Sequence, residues 1–299
     1  MKKIIPALAV FIALAFMPAF FACGAQAAPA SPASPAGQAA VATPTIADAF
    51  VGEQLTYKIG FWLFDEVGQG SFSLKREEDG TYTGTLEAHT TGNVKRFILN
   101  RTDAYVSHML LSEDGQRFVT LSFEEFVTMR GKTRKKRRVF DYANNRMTWT
   151  SWGKDGKEST GEETYPGDIV PSDPIAAFYN FRFGAYGPVE RGGEYVIHAM
   201  PKGGKVPKIT IRIATSEEVS KRPGKRPETM EYLADARIDK ELFGSSTGDM
   251  EISFTREMTP VFVVAKDLIF FGDVRGSLIS SRLADSARVL ASGGRAAAP

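Results

Sequence analysis

The residues whose chemistry could be catalytic are scattered, and their spacing matches no familiar active site. The three histidines, His89, His108 and His198, have no second histidine three to five positions away, so no zinc-binding helix or ribbon is indicated. The sequence contains neither a Gly-x-Ser-x-Gly nucleophile elbow nor a phosphate-binding P-loop. Carboxylates such as Glu53 and Asp141 could pair in space, which the sequence does not show. We therefore predict no catalytic residue, metal or cofactor, and favour a non-enzymatic protein with a hydrolase as an alternative.

One stretch is strongly basic, with seven cations within nine residues. These are Arg130, Lys132, Arg134, Lys135, Lys136, Arg137 and Arg138. We predict that they occupy a loop or strand ends, and two interpretations are open. The charges could protect the edge of a sheet against pairing, or they could attract anionic lipid head groups or lipopolysaccharide. A second basic run at 221–227 is interpreted as a solvated loop.

The rest of the chain is nearly neutral. It has 37 Lys and Arg against 35 Asp and Glu, and removing Lys2 and Lys3 with a predicted leader leaves 35 of each. A globally basic nucleic-acid-binding protein is therefore excluded, and we predict no nucleic-acid partner.

Aromatic residues are crowded in a few places. Three of them, Phe61, Trp62 and Phe64, lie in the first predicted strand, where both faces are apolar. Such a strand is either covered on both faces by packing, which we favour, or turns one face toward a ligand cavity. The candidates for a cavity lining are Phe61, Trp62, Phe64, Phe178 and Tyr179.

One helix is predicted with clear start and stop signals. Asp173 is a good N-cap, and Pro174 suits the first helical position, where no donor is needed. Apolar residues follow at helical spacing, and Gly184 is expected to end the helix. So short and apolar a helix needs a sheet to pack against.

The remainder of the chain alternates between apolar and polar residues in short runs. Leu55 to Leu63 shows this period of two, and Asp79-Gly80 is a strong hairpin signal between two further runs. About a dozen such strands joined by short turns indicate antiparallel pairing. We predict a mainly β fold: a single large antiparallel, strongly curved sheet or open barrel, with one short helix packed against it.

The N-terminus predicts export. Residues 1–27 have a positive start, an apolar stretch and a small-x-small cleavage pattern at Ala25-Gln26-Ala27, as in a secretory signal peptide. Cleavage before Cys23, which would then carry a lipid anchor, is the alternative that we favour less. Because Cys23 is the one cysteine, no intramolecular disulfide can form. The predicted location is the periplasm or cell envelope.

The domain organisation follows from composition. Residues 28–47 are rich in Ala and Pro and predict a flexible linker. A single β-rich domain is expected over 48–285, followed by a disordered tail over 286–299.

Several short motifs resemble a known family. They are Gly52-Glu53-Gln54-Leu55-Thr56-Tyr57, Phe140-Asp141, the segment from Asp173 to Arg182, and Gly192-Gly193-Glu194. In this order they resemble the bacterial envelope family filed as domain of unknown function 3108, over about residues 50 to 282. The resemblance implies a secreted, mostly β domain and no particular activity or site residue. The chain departs from the usual pattern in Phe61-Trp62-Leu63-Phe64 and in the basic residues 130–138.

Three functional hypotheses follow. The leading one is a non-enzymatic envelope protein that binds or carries an apolar or amphipathic ligand, such as lipid or a lipoprotein, and that docks on an anionic membrane surface. The second is a structural module that binds another protein through a sheet edge. The third is a hydrolase of envelope glycan. An apolar cavity would favour the ligand-binding protein, and a bare sheet edge would favour the structural module. Clustered carboxylates would favour the hydrolase.

Overall fold

The computed structural model describes residues 44–61, 64–92, 100–224, 226–238, 246–268 and 272–282. Within these ranges the chain forms fourteen strands and three short helices. The strands are β1 (Gln54–Phe61), β2 (Phe64–Arg76), β3 (Tyr82–Thr90), β4 (Arg101–Leu111), β5 (Phe118–Met129), β6 (Lys132–Asp141), β7 (Arg146–Trp152), β8 (Glu158–Thr164), β9 (Glu194–His198), β10 (Lys208–Ile213), β11 (Tyr232–Arg237), β12 (Asp249–Phe254), β13 (Pro260–Leu268) and β14 (Gly272–Arg282). The helices are α1 (Ile46–Phe50), α2 (Pro174–Phe183) and α3 (Ser216–Lys221).

All fourteen strands belong to one antiparallel sheet. Strands β1 to β8 follow one another in space as they do in sequence, and so do β9 to β14, while β14 pairs with β1 to join the two halves. The predicted mainly β fold with a single antiparallel sheet is confirmed. The sheet does not close into a barrel, because β8 and β9 lie at its two ends and do not pair with each other.

The sheet curves until its two ends approach each other. The carboxylate of Glu163 on β8 accepts hydrogen bonds from the backbone N–H groups of Gly203 and Gly204, at 2.9 and 2.8 Å, in the turn that follows β9. The N–H group of Ser172 donates to the carbonyl of His198 on β9 at 2.9 Å. The two ends of the sheet are therefore joined by one side chain and one extended segment, and not by pairing between β8 and β9.

Helix α2 fills the inside of this curve, and its predicted signals are confirmed. The Oδ1 atom of Asp173 accepts from the N–H groups of Ile175 and Ala176 at 2.7 and 3.2 Å, while Gly184 ends the helix with a left-handed φ of 84°. The second oxygen of Asp173 accepts from Ser107 and Thr120, at 2.6 and 2.5 Å. Asp173 thus caps the helix and also fastens it to β4 and β5.

We call the face that packs on α2 the concave face and the other the convex face. Residues directly opposite each other in paired strands share a face. One such row runs Phe72, Leu86, Tyr105, Glu125, Lys136, Ser151 and Ser159. Phe72 stacks on Phe178 of α2 with ring centroids 4.6 Å apart, so this row lies on the concave face.

The structure contains two helices, α1 and α3, that were not predicted from the sequence. Thr45 and Asp48 form a capping box at α1, and Thr215 and Glu218 form one at α3. Ile46, at the end of the predicted linker, is fully buried in α1. None of the described helices has the length and apolarity that crossing a membrane requires. The predicted leader, most of the predicted linker and the predicted tail lie outside the described residues.

Candidate functional site

The basic segment, residues 130–138, forms the end of one hairpin. The prediction was a loop or strand ends: Arg130 and Gly131 form the turn, while Lys132 to Arg138 lie in β6 and pair with β5. Two carboxylates explain why a strand forms despite the charge: Glu124 lies opposite Arg137, and Glu125 lies opposite Lys136. Cross-strand pairs of opposite charge stabilise an antiparallel ladder. Because successive side chains of β6 point to opposite faces of the sheet, the cations lie in three environments: the tip of the hairpin and the two faces.

The first environment is the tip of the hairpin, which we define as Arg130, Lys132 and Arg134. Arg130 and Gly131 have φ angles of 53° and 73°, as expected for a two-residue hairpin turn. All three cations are exposed, and no described carboxylate forms an ion pair with any of them. Because β7 pairs with β6 only from Lys135 onward, one backbone edge of β6 also remains uncovered there.

The second environment is the convex face, where Lys135 and Arg137 share the carboxylate of Glu124. Their nitrogens lie 3.0 and 3.3 Å from its oxygens. The ammonium group of Lys135 also lies 4.9 Å from the ring centroid of Phe126 and 5.5 Å from that of Trp152. Both cations are therefore compensated within the protein.

The third environment is the concave face, which holds Lys136 and Arg138. Arg138 forms an ion pair with Glu125 at 3.0 Å and lies over the ring of Phe123. Lys136 lies 4.7 Å from the ring centroid of Trp149, and no described carboxylate comes within ion-pair distance of its ammonium group. Burial, together with the charges of Arg138 and Lys202, lowers the pKa of Lys136 to about 8.

The segment as a whole carries an excess of positive charge. Seven cations face two carboxylates from β5, which leaves a net charge of +5 (seven minus two) between Glu124 and Arg138. The carboxylates compensate Lys135, Arg137 and Arg138, and leave the tip and Lys136 without an ion pair among the described residues. Sequence reasoning missed Trp149, Phe123 and the two glutamates as partners, because the strand register was needed to place them.

Four of the five aromatic cavity candidates lie among the described residues, and they form two separate pairs. Phe61 and Phe64 contact each other at the end of the β1–β2 hairpin, with ring centroids 5.8 Å apart, and Trp62 lies outside the described residues. Phe178 and Tyr179 are buried in α2. Phe178 lines an apolar cavity of about 30 Å³, together with Tyr57, Phe72, Met250, Ile252, Pro260 and Val263. That volume matches about one water molecule and is far below that of an acyl chain.

Two buried ion pairs lie deeper in the molecule. Arg182 of α2 binds Glu53 through two hydrogen bonds of 2.7 Å, and Arg101 binds Asp103 at 2.8 and 2.7 Å. Burial outweighs the Arg101 interaction and raises the pKa of Asp103. Both pairs are compensated internally, and neither faces a described cavity.

A charged groove of about 900 Å³ lies on the other half of the sheet, over β10 to β13. Two of its carboxylates are already engaged by arginines: Arg222 binds Asp235 and Glu251, and Arg226 binds Glu251 at 2.9 Å. Burial by itself would raise the pKa of Glu251, but the cations of Arg226, Lys266 and Arg222 hold it below its usual range. A general acid needs a raised pKa, so this groove gives the hydrolase hypothesis no support.

The described residues contain no group of three His, Cys, Asp or Glu side chains that could hold a metal ion. A family model described as "Protein of unknown function (DUF3108)" matches residues 55–278 of the chain. No curated protein matches the sequence.

Proposed function

Because the chain belongs to the DUF3108 family, which is described only as being of unknown function, we propose a function from its own geometry. The protein is a non-enzymatic binding module of the bacterial cell envelope that binds anionic lipid head groups through the hairpin tip, Arg130, Lys132 and Arg134. This proposal keeps the amphipathic ligand expected from the sequence and places its contact on the surface of the sheet.

The observation that carries the proposal is the uncompensated hairpin tip. Arg130, Lys132 and Arg134 are exposed at the end of two long strands and have no ion pair among the described residues. Three exposed cations held together on a β-hairpin form a local positive field that attracts an anionic surface.

The expected free energy of membrane binding is that of weak, reversible docking. Each basic residue near an anionic membrane contributes about 1 kcal/mol, and the effect falls off within a Debye length of about 8 Å at physiological salt. Three tip residues would therefore contribute about 3 kcal/mol, which is weak on its own. The predicted N-terminal linker would strengthen docking by raising the effective concentration if the chain is also anchored.

The interior of the sheet is a poorer candidate for the lipid. Helix α2 packs on the part of the concave face formed by β2 to β5, and the apolar cavity beside Phe178 has a volume of only about 30 Å³. Asp173 and Arg182 fasten the two ends of α2 to the sheet and to the loop around Met258. A cavity of this size is too small for an acyl chain, which favours binding at the surface.

The proposal is tested by sedimentation with lipid vesicles. The protein should co-sediment with vesicles of phosphatidylcholine that contain phosphatidylglycerol, at low salt, and it should be released as salt increases. Vesicles of phosphatidylcholine alone are the control, because they have the same surface without net charge. Equal sedimentation with both kinds of vesicle would contradict the proposal.

A further inference from the structure

We infer that Lys136 and Lys202, beside the indole of Trp149, form a binding site for a single phosphate-bearing lipid head group. This inference rests on the proposed function and deepens it, since the site lies on the concave face and is separate from the hairpin tip. The tip attracts a charged surface, whereas this site would bind one lipid molecule.

The charges on this part of the concave face do not balance. Lys136 and Arg138 lie two residues apart on β6, and Lys202 directly precedes Gly203, whose N–H group donates to the carboxylate of Glu163 on β8. Arg138 forms an ion pair with Glu125, while no described carboxylate forms an ion pair with Lys136 or Lys202. Three cations therefore face two carboxylates, Glu125 and Glu163, and the cluster keeps a net charge of +1 (three minus two).

Lys136 is partly buried. Its ammonium group is held over Trp149, at 4.7 Å from the ring centroid. The charges that surround it are Glu125 from β5, Arg138 from β6, Glu163 from β8 and Lys202 from the turn after β9. Burial and the two nearby cations outweigh the two carboxylates and lower its pKa to about 8. A partly buried cation without an ion-pair partner is costly, and a bound anion would reduce that cost.

Apolar surface lies next to these charges. The indole of Trp149 lies against Gly161, so closely that a Cβ atom at this glycine would come within 2.5 Å of the ring. Glycine at 161 thus lets the aromatic ring lie against β8. A partly exposed indole beside the ammonium group of Lys136 suits a ligand with an anionic head and an apolar continuation, which is the chemistry of a phospholipid rather than of a free anion.

The position of the site relative to the tip fits a sequence of events. Arg134 lies two residues from Lys136 on the same face of β6, because residues alternate between the faces of a strand. A head group attracted by the tip would therefore be only two residues, or about 7 Å along the strand, from Lys136. The tip would bring the protein to the surface, and Lys136 and Lys202 would then hold one lipid.

The test uses dihexanoyl phosphatidylglycerol below its micellar concentration, so that single lipid molecules are the ligand. Binding is followed by the fluorescence of Trp149 in a background in which Trp62 and Trp152 are replaced by phenylalanine. Lys136→Gln should weaken binding by roughly tenfold or more, because a charge-assisted hydrogen bond is lost. Lys135→Gln is the matched control: it removes the same charge from the adjacent residue on the convex face, and binding should be unchanged.

Further measurements of binding test the same site. Lys202→Gln should weaken binding as Lys136→Gln does, and wild-type affinity should fall as pH rises through about 8, where Lys136 loses its charge. Inorganic phosphate should bind much more weakly than the lipid, since it makes no contact with the indole. Equal effects of Lys136→Gln and Lys135→Gln, or equal affinity for phosphate and lipid, would overturn the inference. Vesicle docking through the tip could survive either result, so failure here is distinguishable from failure of the proposed function.

Discussion

Glu53 and Arg182 are 129 residues apart in the sequence and form a bidentate ion pair in the centre of the fold. Both side chains are almost completely buried. Arg182 also donates to the carbonyl of Met258 at 2.7 Å and lies 4.5 Å from the ring centroid of Phe50. The pair joins the start of β1, the end of α2 and the turn before β13. Two of the motifs that resemble the family, the one at Glu53 and the one ending at Arg182, thus meet in space.

This pair predicts a strong and non-additive effect on stability. Glu53→Leu should lower the free energy of unfolding by about 3–5 kcal/mol, because it leaves the buried guanidinium of Arg182 without its counterion. The double variant Glu53→Leu with Arg182→Met should be less destabilised than the single variant, since no unpaired charge remains. Urea unfolding of the three proteins measures this. A Glu53→Leu protein as stable as wild type would contradict the central position of the pair.

The packing of α2 gives a second prediction. Phe178→Ala should lower the free energy of unfolding by about 3–5 kcal/mol, because it enlarges an existing cavity in the core. Ile279→Ala is a suitable control, since Ile279 is 53% exposed, and its effect should stay within about 0.5 kcal/mol. Denaturant unfolding of both variants is the measurement. If the two substitutions cost the same, α2 does not depend on Phe178 for its packing.

The core elements could be predicted because each signal was local. Asp173, Pro174 and Gly184 mark the ends of α2 in the sequence, and the structure confirms all three roles. Alternation and turn residues likewise predicted the antiparallel sheet. The capping boxes at Thr45 and Thr215 were also visible as Thr-x-x-Asp and Thr-x-x-Glu, although α1 and α3 were not predicted from them.

The candidate site could not be predicted to the same depth, because it depends on strand register. Seven clustered cations indicated a loop or strand ends, and only the pairing with β5 reveals that Glu124 and Glu125 stabilise a strand there. Register also decides which of Lys135 and Lys136 faces the concave side of the sheet. The partnership of Glu53 with Arg182 was hidden for the same reason, since no local pattern links positions so far apart.

Lys136 gives a prediction for the pH dependence of stability. Its pKa is about 8 in the folded protein, against 10.5 for an ordinary lysine. Between these two pH values the unfolded chain binds more protons at this position than the folded one, so the free energy of unfolding should rise with pH. Lys136→Met should lack this contribution. Unfolding measured from pH 7.5 to 10 compares the two proteins, and parallel curves would contradict the burial of an uncompensated Lys136.

Export remains a prediction from the sequence. Cleavage after Ala27 would give a mature protein that begins at Ala28 and contains no cysteine. N-terminal sequencing of protein from the native envelope measures this. A mature protein that begins with a lipid-modified Cys23 would instead support the alternative, in which a lipid anchor and the hairpin tip act together.

The most direct test of the proposed function compares two variants that lose the same charge. In the tip variant, Arg130, Lys132 and Arg134 are replaced by serine, and in the control variant, Arg76, Lys221 and Arg256, which are also exposed, are replaced in the same way. Both variants should keep the wild-type melting temperature, since exposed charges contribute little to stability. The measurement is the fraction bound to phosphatidylglycerol-containing vesicles at low salt. We expect the tip variant to lose most of its binding and the control variant to retain it. Equal binding by the two variants would show that the hairpin tip is not the membrane contact and would contradict the proposed function.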